Sequence, residues 1–110
     1  MVLRFVAFVY PKPEHVKRVE EIAQGICDYV KENEPGVLQY QWFRVQGAEE
    51  PTIIVWETYL DQAAVDTHKS SPKVEWLIKI SKEEDIMAAP IKVLPLEEFA
   101  GWAYASSLAH

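Results

Sequence analysis

Cysteine is almost missing from this sequence: Cys27 stands alone in 110 residues, which excludes a disulfide scaffold and fits a reducing compartment. It falls inside an amphipathic helical pattern, where a free thiol usually behaves as a small buried hydrophobe. Histidine is scarce too. His15, His68 and His110, taken with Cys27, form no cluster at ligand spacing, so no metal site is expected. Runs of Lys or Arg are lacking and the formal net charge is -6, so the surface that would neutralise phosphates is missing and a nucleic-acid partner is excluded. Gly-rich phosphate loops are absent, which leaves nucleotide and flavin binding without support, and no cofactor is expected. Long hydrophobic runs are absent as well. The N-terminal "MVLRFVAFVY" is short and broken by Arg4, and "SSLAH" matches no targeting tail, so the expectation is a cytoplasmic protein with no membrane partner.

What is present is the balance of a soluble globular chain, 49% hydrophobic and 25% charged, at a length that supports one core. One domain over residues 1–110 is expected, with a C-terminal tail over about 99–110. "VLRFVAFVY" is rich in β-branched and aromatic residues and stops at Pro11 and Pro13, which predicts a strand. Val16, Val19, Ile22, Ala23, Ile26 and Val30 recur at helical spacing up to "NEPG". There Pro35 cannot continue a helix and Gly36 can take the left-handed conformation. "VLQYQWFRV" alternates, with Leu38, Tyr40, Trp42 and Arg44 on one face, and "TIIVWETYL" is its expected hairpin partner. Asp61 suits the N-cap of a short helix "QAAVDTHKSS", and Pro72 the first turn of a second helix, "PKVEWLIKISKEED". That second helix carries Val74, Leu77 and Ile78 on one face and Trp76 and Ile80 on another, which implies two packing partners. "IKVLPLEEF" reads as a last strand.

The order β-α-β-β-α-β is the ferredoxin-like α+β arrangement, an antiparallel four-stranded sheet with helices on one face. Its other face needs a cover, and a second copy of the same sheet supplies one, so a homodimer is expected.

Two passages carry a family resemblance. "NEPGVLQYQWFR" is similar to an "E-P-G-x-x-x-Y" turn into a strand, and "VWETYLDQAAVDTHKSSP" to a signature in which Glu57, Tyr59, Asp61, Ala64, His68, Ser71 and Pro72 hold the matching places. Over nearly its whole length the chain resembles the antibiotic-biosynthesis-monooxygenase domains, which implies a dimeric α/β barrel. That family includes cofactor-free monooxygenases of quinols and polyketide anthrones, an isomerase of a phosphorylated signalling sugar, and heme-degrading enzymes. Two departures stand out. Lys73 occupies the place where a second His often follows the signature's Pro. Strand one has no Asn and the helix from Pro72 no His, which disfavours the heme-degrading branch.

His68 is the candidate catalytic residue. It either closes hydrogen bonds between its helix and its surroundings, or borders a pocket where a group titrating near neutrality takes a proton from a substrate hydroxyl. Glu57, in an otherwise apolar strand, either meets a cation such as Arg44 or Arg4 or lines a polar cavity, pairing being the simpler account. Trp42, Trp56, Tyr59 and Trp76, with Tyr40, are numerous enough to build a flat aromatic pocket, although aromatics at strand spacing also serve as plain core. Arg44 is a candidate for binding a phenolate or carboxylate, or for a surface ion pair. With the resemblance, these residues imply a cofactor-independent monooxygenase-like enzyme acting on a small aromatic substrate such as a quinol, phenol or anthrone. The alternatives are an isomerase or other proton-transfer enzyme on a small oxygenated metabolite, and a non-catalytic binding dimer whose pocket is filled by its own aromatics.

Overall fold

The structure is a computed structural model that describes residues 2–104. The end of the expected tail, including His110, lies outside the described residues. Along the chain come β1 (Leu3–Pro11), a short 3-10 turn (Pro13–His15), α1 (Val16–Asn33), β2 (Val37–Arg44), β3 (Ile53–Tyr59), α2 (Gln62–Lys69), α3 (Pro72–Glu84) and β4 (Met87–Leu96). The strands form one antiparallel sheet in the order β2-β3-β1-β4, with β1 and β3 central. The expected ferredoxin-like α+β arrangement is what the chain adopts, with α1, α2 and α3 following the predicted order.

The apolar stripe of α1 buries Val19, Ile22, Ala23, Ile26 and Val30. Val19, Ile22, Ile26 and Val30 meet Ala7, Val9, Ile53 and Val55 of the central strands, together with Leu77 and Ile86, in one core. Period 3.6 on the helix and period 2 on the strands therefore converge on the same layer.

Three expectations are corrected. Gly36 does not adopt a positive φ; the glycines that do are Gly47 and Gly101. Gly36 is needed for space, since a Cβ there would lie 2.7 Å from Ala64 Cβ. The last strand begins at Met87, four residues before the expected start, and ends at Leu96. Pro90 and Pro95 fit inside it because β4 is an edge strand with a free side, where the missing N–H costs no ladder bond. On α3, Ile80 joins Val74 and Leu77 against the core rather than sharing a second face with Trp76. Trp76 stays exposed, with Lys73 Nζ 4.2 Å from its ring centroid.

The outer face of the sheet is bare. Gln41, Trp56, Val6 and Leu94 form one rung across it by register, and Phe43, Ile54, Phe8 and Lys92 the next. Phe43, Trp56, Leu94 and Leu96 are all exposed. Beyond β4, Phe99, Trp102 and Tyr104 are exposed as well.

Candidate functional site

Between the helix-side face of the sheet and the α2/α3 pair lies a cavity of about 540 Å³, within the usual range for small-molecule sites. Two rungs of the sheet form its floor. Tyr40, Glu57, Phe5 and Pro95 make one, and Trp42, Val55, Ala7 and Val93 the other. Its roof is aliphatic except for His68 and Lys69 on α2. On the flank between α3 and β4 the lining residues Ile78, Ile91 and Val93 are exposed, so the cavity opens there.

Local rules place the α2 side. Asp61 caps α2 by accepting a hydrogen bond from the Ala64 N–H at 2.9 Å, and Ser71 caps α3 by accepting from the Lys73 and Val74 N–H groups. The two caps hold a sharp bend, closed by the Ser71 N–H donating to the His68 carbonyl at 3.2 Å. His68 is thereby kept in the last turn of α2, above the strand residues Tyr40 and Tyr59. Its ring lies 5.3 Å from the Tyr40 ring and 5.6 Å from the Tyr59 ring.

The turn after α1 clamps onto the same helix. Pro35 stops α1, Gly36 lies against Ala64, and the Leu60 N–H donates to the Gly36 carbonyl at 2.8 Å. Glu34, two residues before the glycine, then reaches His68, one helical turn after the alanine: Glu34 Oε1 is 2.8 Å from His68 Nδ1. The side chains of the pair retain only 4% and 11% exposure, so it is a buried contact. The two sequence passages are thus halves of one interlock, Gly36 on Ala64 and Glu34 on His68.

Glu57 is the carboxylate on the cavity floor. It accepts a hydrogen bond from the Tyr59 hydroxyl at 2.5 Å. Burial raises its pKa above the ordinary carboxylate value, and the Tyr59 bond and the nearby His68 oppose that shift. The Tyr59 and Tyr40 phenols are pushed up strongly, first by burial and then by the charge of Glu57, so both stay protonated donors.

Of the residues named from the sequence, Trp42, Glu57, Tyr59 and His68 line this cavity. Arg44, Trp56 and Trp76 do not. Arg44 forms a two-pronged pair with Glu20 of α1, at 2.5 and 2.8 Å, Trp56 lies on the outer face of the sheet, and Trp76 is on the exposed side of α3. Arg4 pairs with Glu98 at 3.6 Å, so the cation partner expected for Glu57 is replaced by the Tyr59 hydroxyl. Tyr40, named with the aromatics, lines the cavity too, whereas Phe5 on the floor and Glu34 behind His68 are additions to the set. Glu34 carried a signal in the sequence, its place in the "E-P-G" turn, but turn chemistry alone accounts for Pro and Gly and says nothing of the Glu. Among the described residues no group of three or more His, Cys, Asp or Glu side chains is placed to hold a metal ion. Cys27 borders a separate groove by β2, with its thiol pushed up to about 11 by burial and by Asp28, which makes it a poor nucleophile.

A model of the antibiotic biosynthesis monooxygenase family matches residues 2–78, the stretch that supplies α1, the interlock, most of the cavity floor and the capped bend. The chain belongs to that family. Solved structures agree in fold. A Caulobacter crescentus CB15 protein classed with the antibiotic biosynthesis monooxygenases superimposes with a TM-score of 0.78 at 24% identity, over 90% of this chain and 91% of that one. A conserved protein of Methanosarcina mazei Go1 gives 0.78 at 17% identity, over 90% and 94%. One from Bacteroides thetaiotaomicron VPI-5482, described as of unknown function and a possible oxidoreductase, gives 0.75 at 18%, over 88% and 97%. A search of curated protein sequences gave no match. At these identities the structural likenesses speak for the antibiotic biosynthesis monooxygenase fold and not for a substrate. No helix among the described residues is long and apolar enough to cross a membrane.

Proposed function

We propose that the protein is a cofactor-independent monooxygenase-like enzyme acting on a small, flat, electron-rich aromatic substrate of the quinol, phenol or anthrone class. The observation that carries this reading is the presence of an imidazole and a carboxylate, His68 and Glu57, on the walls of one otherwise mostly apolar cavity. The apolar walls hold a ring system and exclude water, while His68 takes the proton of a substrate hydroxyl or enol. The resulting electron-rich anion is itself the reductant for dioxygen. In the anthrone case a ring CH₂ becomes C=O: one oxygen atom stays on carbon and the other leaves as water, with both electron pairs drawn from the substrate. The protein supplies orientation, desolvation and proton transfer.

Charge supports a substrate that enters neutral over a phosphorylated or carboxylated one. Arg4, Arg18 and Arg44 are engaged with Glu98, Glu84 and Glu20, and the cationic side chain on the cavity wall is Lys69, which is exposed at its rim. The reading further takes residues 1–110 as one cytoplasmic unit acting as a homodimer. Trp56, Phe43, Leu94 and Leu96 on the bare sheet face are the apolar patch a second copy would cover.

The test is product formation from hydroquinones and anthrones with and without dioxygen. The proposal predicts turnover that stops under anaerobic conditions and one dioxygen consumed per product. Turnover that continues without dioxygen would replace it with the isomerase reading, since the same proton-handling pair serves that chemistry.

A further inference from the structure

We propose that Glu34 is a positioning residue for His68, holding the imidazole in the tautomer that carries its proton on Nδ1 and leaves Nε2 bare for the cavity. The inference deepens the reading above, because it names the atom of His68 that receives the substrate proton. The geometry behind it needs no substrate.

An ionised carboxylate only accepts hydrogen bonds, whereas a neutral imidazole has one nitrogen that donates and one that accepts. With Glu34 Oε1 at 2.8 Å from Nδ1, a bare Nδ1 would set two acceptors against each other in a place with almost no water. A proton on Nδ1 turns the same contact into a charge-assisted bond. The other groups around the ring do not compete for this role. Tyr40 and Tyr59 meet it with their ring systems, the Tyr59 hydroxyl is given to Glu57, Lys69 is exposed at the rim, and Lys73 of α3 is turned over Trp76. Among the described residues Glu34 is the hydrogen-bond partner of His68 Nδ1.

The backbone makes the arrangement rigid. Glu34 is the C-cap of α1, with its own N–H donating to the Val30 carbonyl at 2.9 Å and its carbonyl accepting from the Val37 N–H at 3.0 Å. The Gly36–Ala64 contact then fixes the distance between this turn and α2. Neither end of the bond is free to slide. This rigidity is what a locked tautomer requires.

The chemistry follows. When substrate binds, its O–H bond breaks, an N–H bond forms at Nε2, and the electron pair stays on the substrate oxygen. The imidazolium so formed has one N–H facing that oxyanion and the other already bonded to the Glu34 carboxylate. The positive charge is therefore compensated on both sides within a mostly apolar box, where an unpaired charge is strongly disfavoured.

The test is two-bond 1H–15N correlation NMR of the imidazole rings in the uniformly labelled full chain, at a pH where the rings are neutral. His68 is assigned by the loss of its signals in His68→Gln. The wild type is expected to show a protonated Nδ1 and a bare Nε2; a protonated Nε2 overturns the proposal. Glu34→Gln, whose amide can both donate and accept, is expected to lose the single tautomer, and Glu34→Leu to shift to a protonated Nε2. A single, unchanged Nδ1–H form in either folded variant would mean that something other than Glu34 sets the tautomer. The same spectra report through their backbone amides whether each variant is folded, and the near-isosteric Glu34→Gln decides if Glu34→Leu is not. A protein that consumes no dioxygen with any quinol would remove the reaction proposed above and leave this result standing. The wrong tautomer would remove the positioning role and leave the reaction.

Discussion

Replacing Gly36 by alanine probes the interlock that carries the site. The added methyl would lie 2.7 Å from the Ala64 Cβ and 3.6 Å from its Cα. No flexible side chain can swing away, because the atom met is a Cβ at the start of α2, capped by Asp61. Relief requires α2 to move as a body, or the turn between α1 and β2 to lift. Overpacking of this kind costs about 1–3 kcal/mol. Gly36 has no positive φ, so alanine is allowed on the backbone and regains roughly 0.4–1 kcal/mol by restricting the unfolded chain. The net expectation for Gly36→Ala is a loss of about 1–2 kcal/mol, read from urea unfolding as a lower midpoint at unchanged m-value. Ala64→Gly alone should lose about 1 kcal/mol through helix propensity. Combined with Gly36→Ala it should lose less than the two added together, by a coupling energy of about 1–2 kcal/mol. A neutral or stabilising Gly36→Ala, or strict additivity in the double variant, would refute the interlock.

Further outcomes concern Glu57 and the open sheet face. Burial raises the Glu57 pKa above its ordinary value of 4.5, so the native carboxyl holds its proton more tightly than the unfolded one. Its contribution to stability is complete below the unfolded value and is lost as pH rises through the folded one. Glu57→Gln, neutral at every pH, should therefore gain on the wild type as pH is raised from about 4.5. Unfolding measured in both proteins from acid to neutral pH checks this, and a flat or opposite difference would contradict it. Trp56→Arg places a charge in the middle of the outer apolar rung and should turn a dimer into a monomer in sedimentation, with unchanged far-UV circular dichroism. A variant that stays dimeric would show that the interface lies elsewhere.

Much of the frame was legible in the residues because it rests on local rules. The α1 stripe, the Asp61 cap, the Ser71–Pro72 start of α3 and the alternation of β2 and β3 each follow from periodicity or capping within a few positions. The last strand, expected over "IKVLPLEEF", begins earlier and ends earlier, at Met87 and Leu96, because pairing with β1 and a place at the sheet edge, neither of them local, set its bounds. Strand parity puts the neighbours Glu57 and Trp56 on opposite faces but does not say which face meets the helices. Nothing local says that Arg44 meets Glu20 across the gap to α1, or that Glu34 meets His68 across 34 positions of chain. These are tertiary contacts. The family motifs recorded both ends of the second one without revealing that they touch.

Oxygen uptake tests the central claim most directly. It should be measured with a hydroquinone or anthrone series for the wild type and for His68→Ala, with folding of the variant checked by circular dichroism. The account predicts stoichiometric uptake by the wild type and a rate about 10²- to 10⁴-fold lower in the variant, the usual range for loss of a general base. Equal rates in the two proteins would contradict it.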